Sequence, residues 1–471
     1  MLCGCAQMLG LDETKGKPPA PPTTSLSIQR VSMGARLVYA PQDLSGLSGT
    51  YLIPDIAEPT GLQRVTAAQA ELGRWAAPLD AAAPILFDLP DFPKPIPRIF
   101  DFPHADVKGL FGVLEHPSPE PAPVGAMITV STTLDVPHNG ADRYELFVVG
   151  TWNSIALTPP AAGATTLAQT FPFTSMTAHA GRPHEKITMD DAAVVLRYTG
   201  NELRGAFSAL PLEQTGTDTI TGAMTAVAVQ PFTFAIDQAD AARRYTAVRP
   251  AVGAPTLQWT VRAAPGGLLN QDLGPLLAAG GPTTPTTVSS QAGNPFGPEW
   301  PSTLLWLTQS SRAYTPPSAN LPVTLYAGMH ERAFLGPGLE MKLAAGLPSR
   351  ITLLSTVLET DGVTITRPSR PVEVSFTTDV ASNTMYQLQL FKLVPNAGQT
   401  ALQYELKLGA NGVAPKFVLP PELFEAGALY TLRAISVQGG FPGIDQGDLV
   451  QRSLPIGISF LDSGVFLVAA P

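Results

Sequence analysis

Cysteine occurs only at positions 3 and 5 of this 471-residue chain. Everything after Cys5 must therefore hold together without disulfides, through apolar cores that a chain of this length can build. Charge is also scarce, at 14% of residues against an average of about 25%. The net charge of -9 is spread along the chain with no basic block, so nucleic-acid binding has no electrostatic footprint. No run of about 20 apolar residues is present, and nothing in the sequence as given reads as a membrane-spanning helix. Also missing are a Gly-x-Ser-x-Gly elbow, a Gly-x-x-x-x-Gly-Lys-Ser/Thr loop and a His-Glu-x-x-His helix, which excludes those common hydrolase, nucleotide and metalloprotease sites.

Proline and glycine are abundant, at 48 and 42 residues, and hydrophobic residues reach 44%. Such a chain has many turns, ample core material and little of the Glu/Lys/Arg surface that long helices carry. Short runs rich in Val, Leu and Thr recur between turn signals, which predicts an all-β protein of three or four tandem β-sandwich modules. The expected boundaries are a tether over 1–24, then modules over 25–123, 124–264, 265–364 and 365–471.

Several local patterns add detail. Val194-Val195-Leu196-Arg197-Tyr198, the Thr199-Gly200-Asn201 turn and Leu203 to Phe207 predict a hairpin. Asp361-Gly362 predicts another, of type I′. Thr66 to Trp75, with Ala67, Ala68, Ala70 and Leu72, is expected to be a short helix, and Asp237 to Tyr245 one or two helical turns. An echo of Leu86-Phe87-Asp88-Leu89-Pro90 in Ile99-Phe100-Asp101-Phe102-Pro103 places phenylalanines to plug a sandwich, or to line an exposed docking strip.

The first residues read Leu2-Cys3-Gly4-Cys5. This resembles the end of the lipobox of bacterial lipoproteins, where a leader is cut before the cysteine that receives the lipid. The resemblance implies that Cys5 is the lipid-attachment residue and that an upstream basic and apolar leader exists. Ala6 after it is similar to the outer-membrane sorting class. Asp12 to Lys17 is charged and Pro18-Pro19-Ala20-Pro21-Pro22 extended, as in a tether that lifts a folded body off a membrane. Two thiols with no second Cys or His pair do not make a structural zinc site.

Near the other end, Val372 to Phe376 and Tyr386 to Leu393 alternate strictly, and Leu419-Pro420-Pro421-Glu422-Leu423 precedes Gly427-Ala428-Leu429-Tyr430-Thr431-Leu432. This is similar to the E-to-F corner of fibronectin type III domains and covers residues 365 to 471. The resemblance implies that Tyr430 is a tyrosine corner, its hydroxyl capping the preceding loop. Tyr386 would hold the strand C aromatic position, while Phe376 stands where that family usually has a strand B tryptophan.

Candidate sites are few. His179 and His184, with Glu185, Asp190 and Asp191, form the richest titratable cluster, with the N and O donors a metal or a general base would use. Asp445 and Asp448 share the glycine-rich loop Gly439 to Asp448, where calcium would need six to eight oxygens. Trp300 and Trp306 are an even number of residues apart and would share a strand face, as a sugar-stacking platform or as core. No cofactor is expected. These features point to a non-catalytic, lipid-anchored envelope protein that presents β-sandwich modules to a glycan or protein ligand, for binding, adhesion or scaffolding. The alternative is a carbohydrate-binding or polysaccharide-active envelope protein, whose carboxylates would come from Asp88, Asp101, Asp190 or Asp191.

Overall fold

The computed structural model describes residues 23–33, 37–79, 81–89, 96–115, 120–149, 153–177, 184, 186–188, 191–200, 202–209, 214–248, 256–263, 275–280, 286–296, 300–341, 344–395 and 400–470. Their regular structure is nearly all strand, with one α-helix among the described residues, as the composition predicts. A first group comprises β1 (Thr24–Met33), β2 (Leu37–Pro41), β3 (Gly49–Pro54), β4 (Leu62–Glu71), β5 (Arg74–Ala77), β6 (Ile85–Leu89), β7 (Ile96–Asp101) and β8 (Asp106–Glu115). A second holds β9 (Met127–Thr133), β10 (Asp142–Val149), β11 (Asn153–Leu157), β12 (Thr166–Pro172), β13 (Ala192–Thr199), β14 (Glu202–Ala209), β15 (Thr217–Ala223) and β16 (Thr225–Ala226). The third holds β17 (Val229–Ile236), helix α1 (Gln238–Val248), β18 (Thr256–Ala263), β19 (Pro275–Gly280), β20 (Thr286–Gly293), β21 (Ser302–Tyr314), β22 (Val323–Phe334) and β23 (Leu339–Met341). The last holds β24 (Pro348–Leu353), β25 (Thr356–Val357), β26 (Val363–Thr366), β27 (Val372–Thr378), β28 (Met385–Pro395), β29 (Leu402–Gly412), β30 (Lys416–Leu419), β31 (Leu429–Gly439), β32 (Ile456–Asp462) and β33 (Phe466–Ala469).

The first three groups repeat one pairing order. Each opening strand (β1, β9, β17) pairs antiparallel with β5, β12 or β20 on one side, and parallel with the closing strand β8, β15 or β23 on the other. The facing sheet is built from β3, β10 or β18, each flanked by β4, β11 or β19 and by β6, β13 or β21. The latter three pair with β7, β14 and β22. A parallel partner requires a crossover, and here the chain crosses from the second sheet back to the first as it leaves each group. The last group differs: β27 lies between β24 and β30, antiparallel to both, opposite the run β29-β28-β31-β32.

The strand pairings are not confined to sequence neighbours. β7 pairs parallel with β29, and β22 pairs antiparallel with β32, so the first and third groups both extend the sheet of the last. The boundary expected at 264/265 separates β18 from its partners β19 and β21. This interlocking explains why β13 reads as a continuous apolar run: Ala193 and Val195 face the core of the second group, while Val194 and Leu196 face a core shared with the third.

Two local expectations are corrected. Thr66 to Trp75 is not a helix; it lies in β4 and β5, which pair around Gly73. Gly73 has φ 76°, and a Cβ there would stand 2.7 Å from Pro41. Buried Leu62 and Ala67, with the pairing of β4 to β3, override the helix propensity of the alanines. Asp361-Gly362 is not a hairpin turn either, because β26 pairs parallel with β33 instead. Just upstream, a two-residue hairpin joins β24 and β25 at Leu354-Ser355, with φ 49° and 64°, residue types that this conformation disfavours.

Asp237 to Tyr245 lies largely in α1, whose Asp240 N–H is capped by the Asp237 carboxylate at 2.8 Å. Among the described residues no helix is long and apolar enough to cross a membrane. Phe87, Phe100 and Phe102 pack edge-on at 5.2 and 6.1 Å, with Phe87 and Phe102 in the core, so the phenylalanine echo plugs the first group.

Candidate functional site

The glycine-rich loop docks the edge of β8. Gly439, Gly440 and Gly447 have φ between 71° and 80°, which curls the segment so that Lys108 of β8 lies against it. The Lys108 amide donates to Gly447 O at 2.8 Å, and the Leu449 amide donates to Lys108 O at 2.9 Å. A Cβ on Gly447 would approach Asp106 O at 2.6 Å. Asp448 is occupied by the Val450 amide at 2.9 Å and the Lys108 ammonium at 3.6 Å. Asp445 is exposed on a short turn beyond it. Among the described residues no three His, Cys, Asp or Glu side chains are placed to hold a metal.

Cys5, His179, Glu185 and Asp190 lie outside the described residues. His184 has its Nε2 2.8 Å from Met176 O and its ring 5.7 Å from that of Phe173. Asp191 is buried and accepts the Thr188 amide at 2.8 Å. Both residues therefore fix local structure.

Sequence reading missed a different titratable constellation in the same group. Arg197 on β13 forks onto Asp135, Nε to Oδ1 at 3.0 Å and Nη2 to Oδ2 at 2.8 Å, and its Nη1 lies 3.5 Å from Asp142 Oδ1. The Thr199 hydroxyl donates to the same Asp142 oxygen at 2.6 Å. His138 Nδ1 lies 3.2 Å from the Tyr144 hydroxyl and 4.0 Å from Asp142 Oδ2. Burial, which disfavours a charged guanidinium, is outweighed by the Asp135 hydrogen bond and the two carboxylates, and the Arg197 pKa rises. Tyr144 is pushed up by burial first and by Asp142 second.

His138, Asp142, Tyr144 and Arg197 are each at most 5% exposed, so this network pins the β9–β10 connection to β13 and is closed to a substrate. The signal for it was an arginine inside the apolar run at 194–198, since a charge buried there requires a partner.

The tryptophan platform is overturned by burial. Trp300 is 2% exposed and Trp306 0%, and Trp306 stands opposite Trp259 and Glu331 in the sheet. An indole so enclosed fills the core and offers no face to a sugar. Asp88 and Asp101 are not a glycosidase pair. Asp88 stands opposite Pro97 in the β6–β7 ladder, which puts Asp101 four residues further along, about 13 Å at the usual strand rise. That separation exceeds the about 5 to 9.5 Å of paired catalytic carboxylates. Asp101 is half-buried, and burial raises its pKa.

The joints between groups are held by ion pairs. Arg244 of α1 grips Asp379 through Nε at 2.6 Å and Nη2 at 2.8 Å, and also donates to Ala345 O at 2.7 Å. Arg312 of β21 forks onto Asp361, which also accepts the Val465 amide at 2.9 Å. Asp462 receives Arg433 at 2.6 and 3.0 Å and the Tyr326 amide at 2.8 Å, across the β22–β32 seam. Arg64 of β4 pairs with Glu422. Apolar contacts follow the same seams: Ala241 and Tyr245 of α1, and Leu52, Leu62 and Ile99 of the first group, enter the core of the last.

In the second group, the sheet β12-β9-β15 turns Thr129, Ser131, Thr133, Thr166, Thr170, Thr217, Thr219 and Thr221 outward, with no charge at the outward positions of its strands.

The tyrosine corner is present as the sequence predicts. Tyr430 is fully buried; its hydroxyl accepts the Glu425 amide at 2.9 Å and donates to Leu423 O at 3.1 Å. Phe376 and Tyr386 meet edge-on at 5.8 Å on adjoining faces of the same core.

No known family matches the chain, and no curated protein does. Among solved structures, a streptococcal ancillary pilin aligns over 68% of this chain and 98% of its own at 10% identity, with a TM-score of 0.13. A likeness of that size carries no argument about fold or function.

Proposed function

We propose that the chain is a non-catalytic envelope lipoprotein: four β-sandwich modules, the last of fibronectin type III kind, carried on a tether from Cys5 as a binding or adhesion scaffold. The observation that carries this reading is the locking of the first and third groups onto the last. Two sheet extensions and the Arg–Asp clamps make one frame from segments far apart in sequence. The Arg244–Asp379 and Arg312–Asp361 clamps sit at joints between groups, as suits a load-transmitting or presenting body. Leu2-Cys3-Gly4-Cys5 and the Pro-rich segment after it supply the anchor and the spacer.

The surface presented is the exposed strand faces, among them the uncharged hydroxyl-lined sheet β12-β9-β15. The test is incubation of the purified full-length chain with isolated cell-wall and outer-membrane polysaccharide. Retention on one of these fractions without release of reducing ends supports the scaffold reading. Release of reducing ends overturns it in favour of a polysaccharide-active enzyme.

A further inference from the structure

We draw no further inference here: the strongest candidate, the charge-free threonine- and serine-lined outer face of the β12-β9-β15 sheet, is an unpartnered sheet face, and nothing in the structure shows what covers it.

Discussion

Arg244 and Asp379 lie 135 positions apart, yet their side chains meet in a two-bonded fork at 2.6 and 2.8 Å. Asp379 is thereby fixed so that its Oδ1 also accepts the Leu347 amide at 2.6 Å. Arg244 is 5% exposed, so removing one partner strands a buried or half-buried charge. Arg244→Ala is expected to cost about 3 kcal/mol in urea unfolding. Arg244→Lys recovers little of it, because an ammonium cannot make the fork. Equal stability of the alanine variant and the parent would show that α1 does not lock the third group to the last.

Tyr430→Phe keeps the ring, which sits 5.9 Å from Phe424 and 5.8 Å from Phe466, and removes only the hydroxyl. The Glu425 amide and the Leu423 carbonyl each lose a partner, at a cost of about 1–3 kcal/mol. Thermal unfolding followed by circular dichroism checks this. An unchanged midpoint would show that the corner hydroxyl contributes nothing net.

His330 on β22 is held neutral: burial, and then the positive charge of Arg332, push its pKa down to about 4. An unfolded histidine takes a proton near pH 6.5. Between those values the unfolded chain binds more protons than the folded one, so this contribution to stability is lost as pH falls from about 6.5 towards 4. The loss is at most about 3 kcal/mol. His330→Gln is expected to flatten the stability profile across that window, as measured by urea midpoints at successive pH values; an identical slope in both proteins would contradict the assignment.

Trp306 is fully buried among Trp259, Leu304 and Val261. Trp306→Ala is expected to cost about 3–5 kcal/mol, whereas a sugar-stacking residue would lose affinity and little stability. Denaturant melts of this variant decide between the two roles.

The sequence revealed most where one residue type has one physical job. Alternation in 372–376 and 386–393 marked strands, and Tyr430 after Pro420-Pro421 marked a corner whose bonds the structure shows. It hid what depends on distant partners. The alanines of 66–70 are good helix formers, but β3 alongside them decides for strand. Asp361-Gly362 has the composition of a turn, while Arg312, 49 positions away, claims the carboxylate. The parallel closing strands β8, β15 and β23 leave no mark in composition, because a parallel and an antiparallel neighbour bury the same alternate residues. Trp300 and Trp306 shared a spacing that suits both platform and core, and only burial separates these.

The central claim, a lipid-anchored envelope scaffold, is tested most directly at Cys5 by intact mass spectrometry of the protein purified from its native host, alongside detergent-phase partitioning. A mature chain that begins at Cys5, carries acyl chains and enters the detergent phase is the predicted result, with Cys5→Ala releasing a folded protein to the aqueous phase. An unmodified N-terminus on a protein that stays aqueous would contradict it.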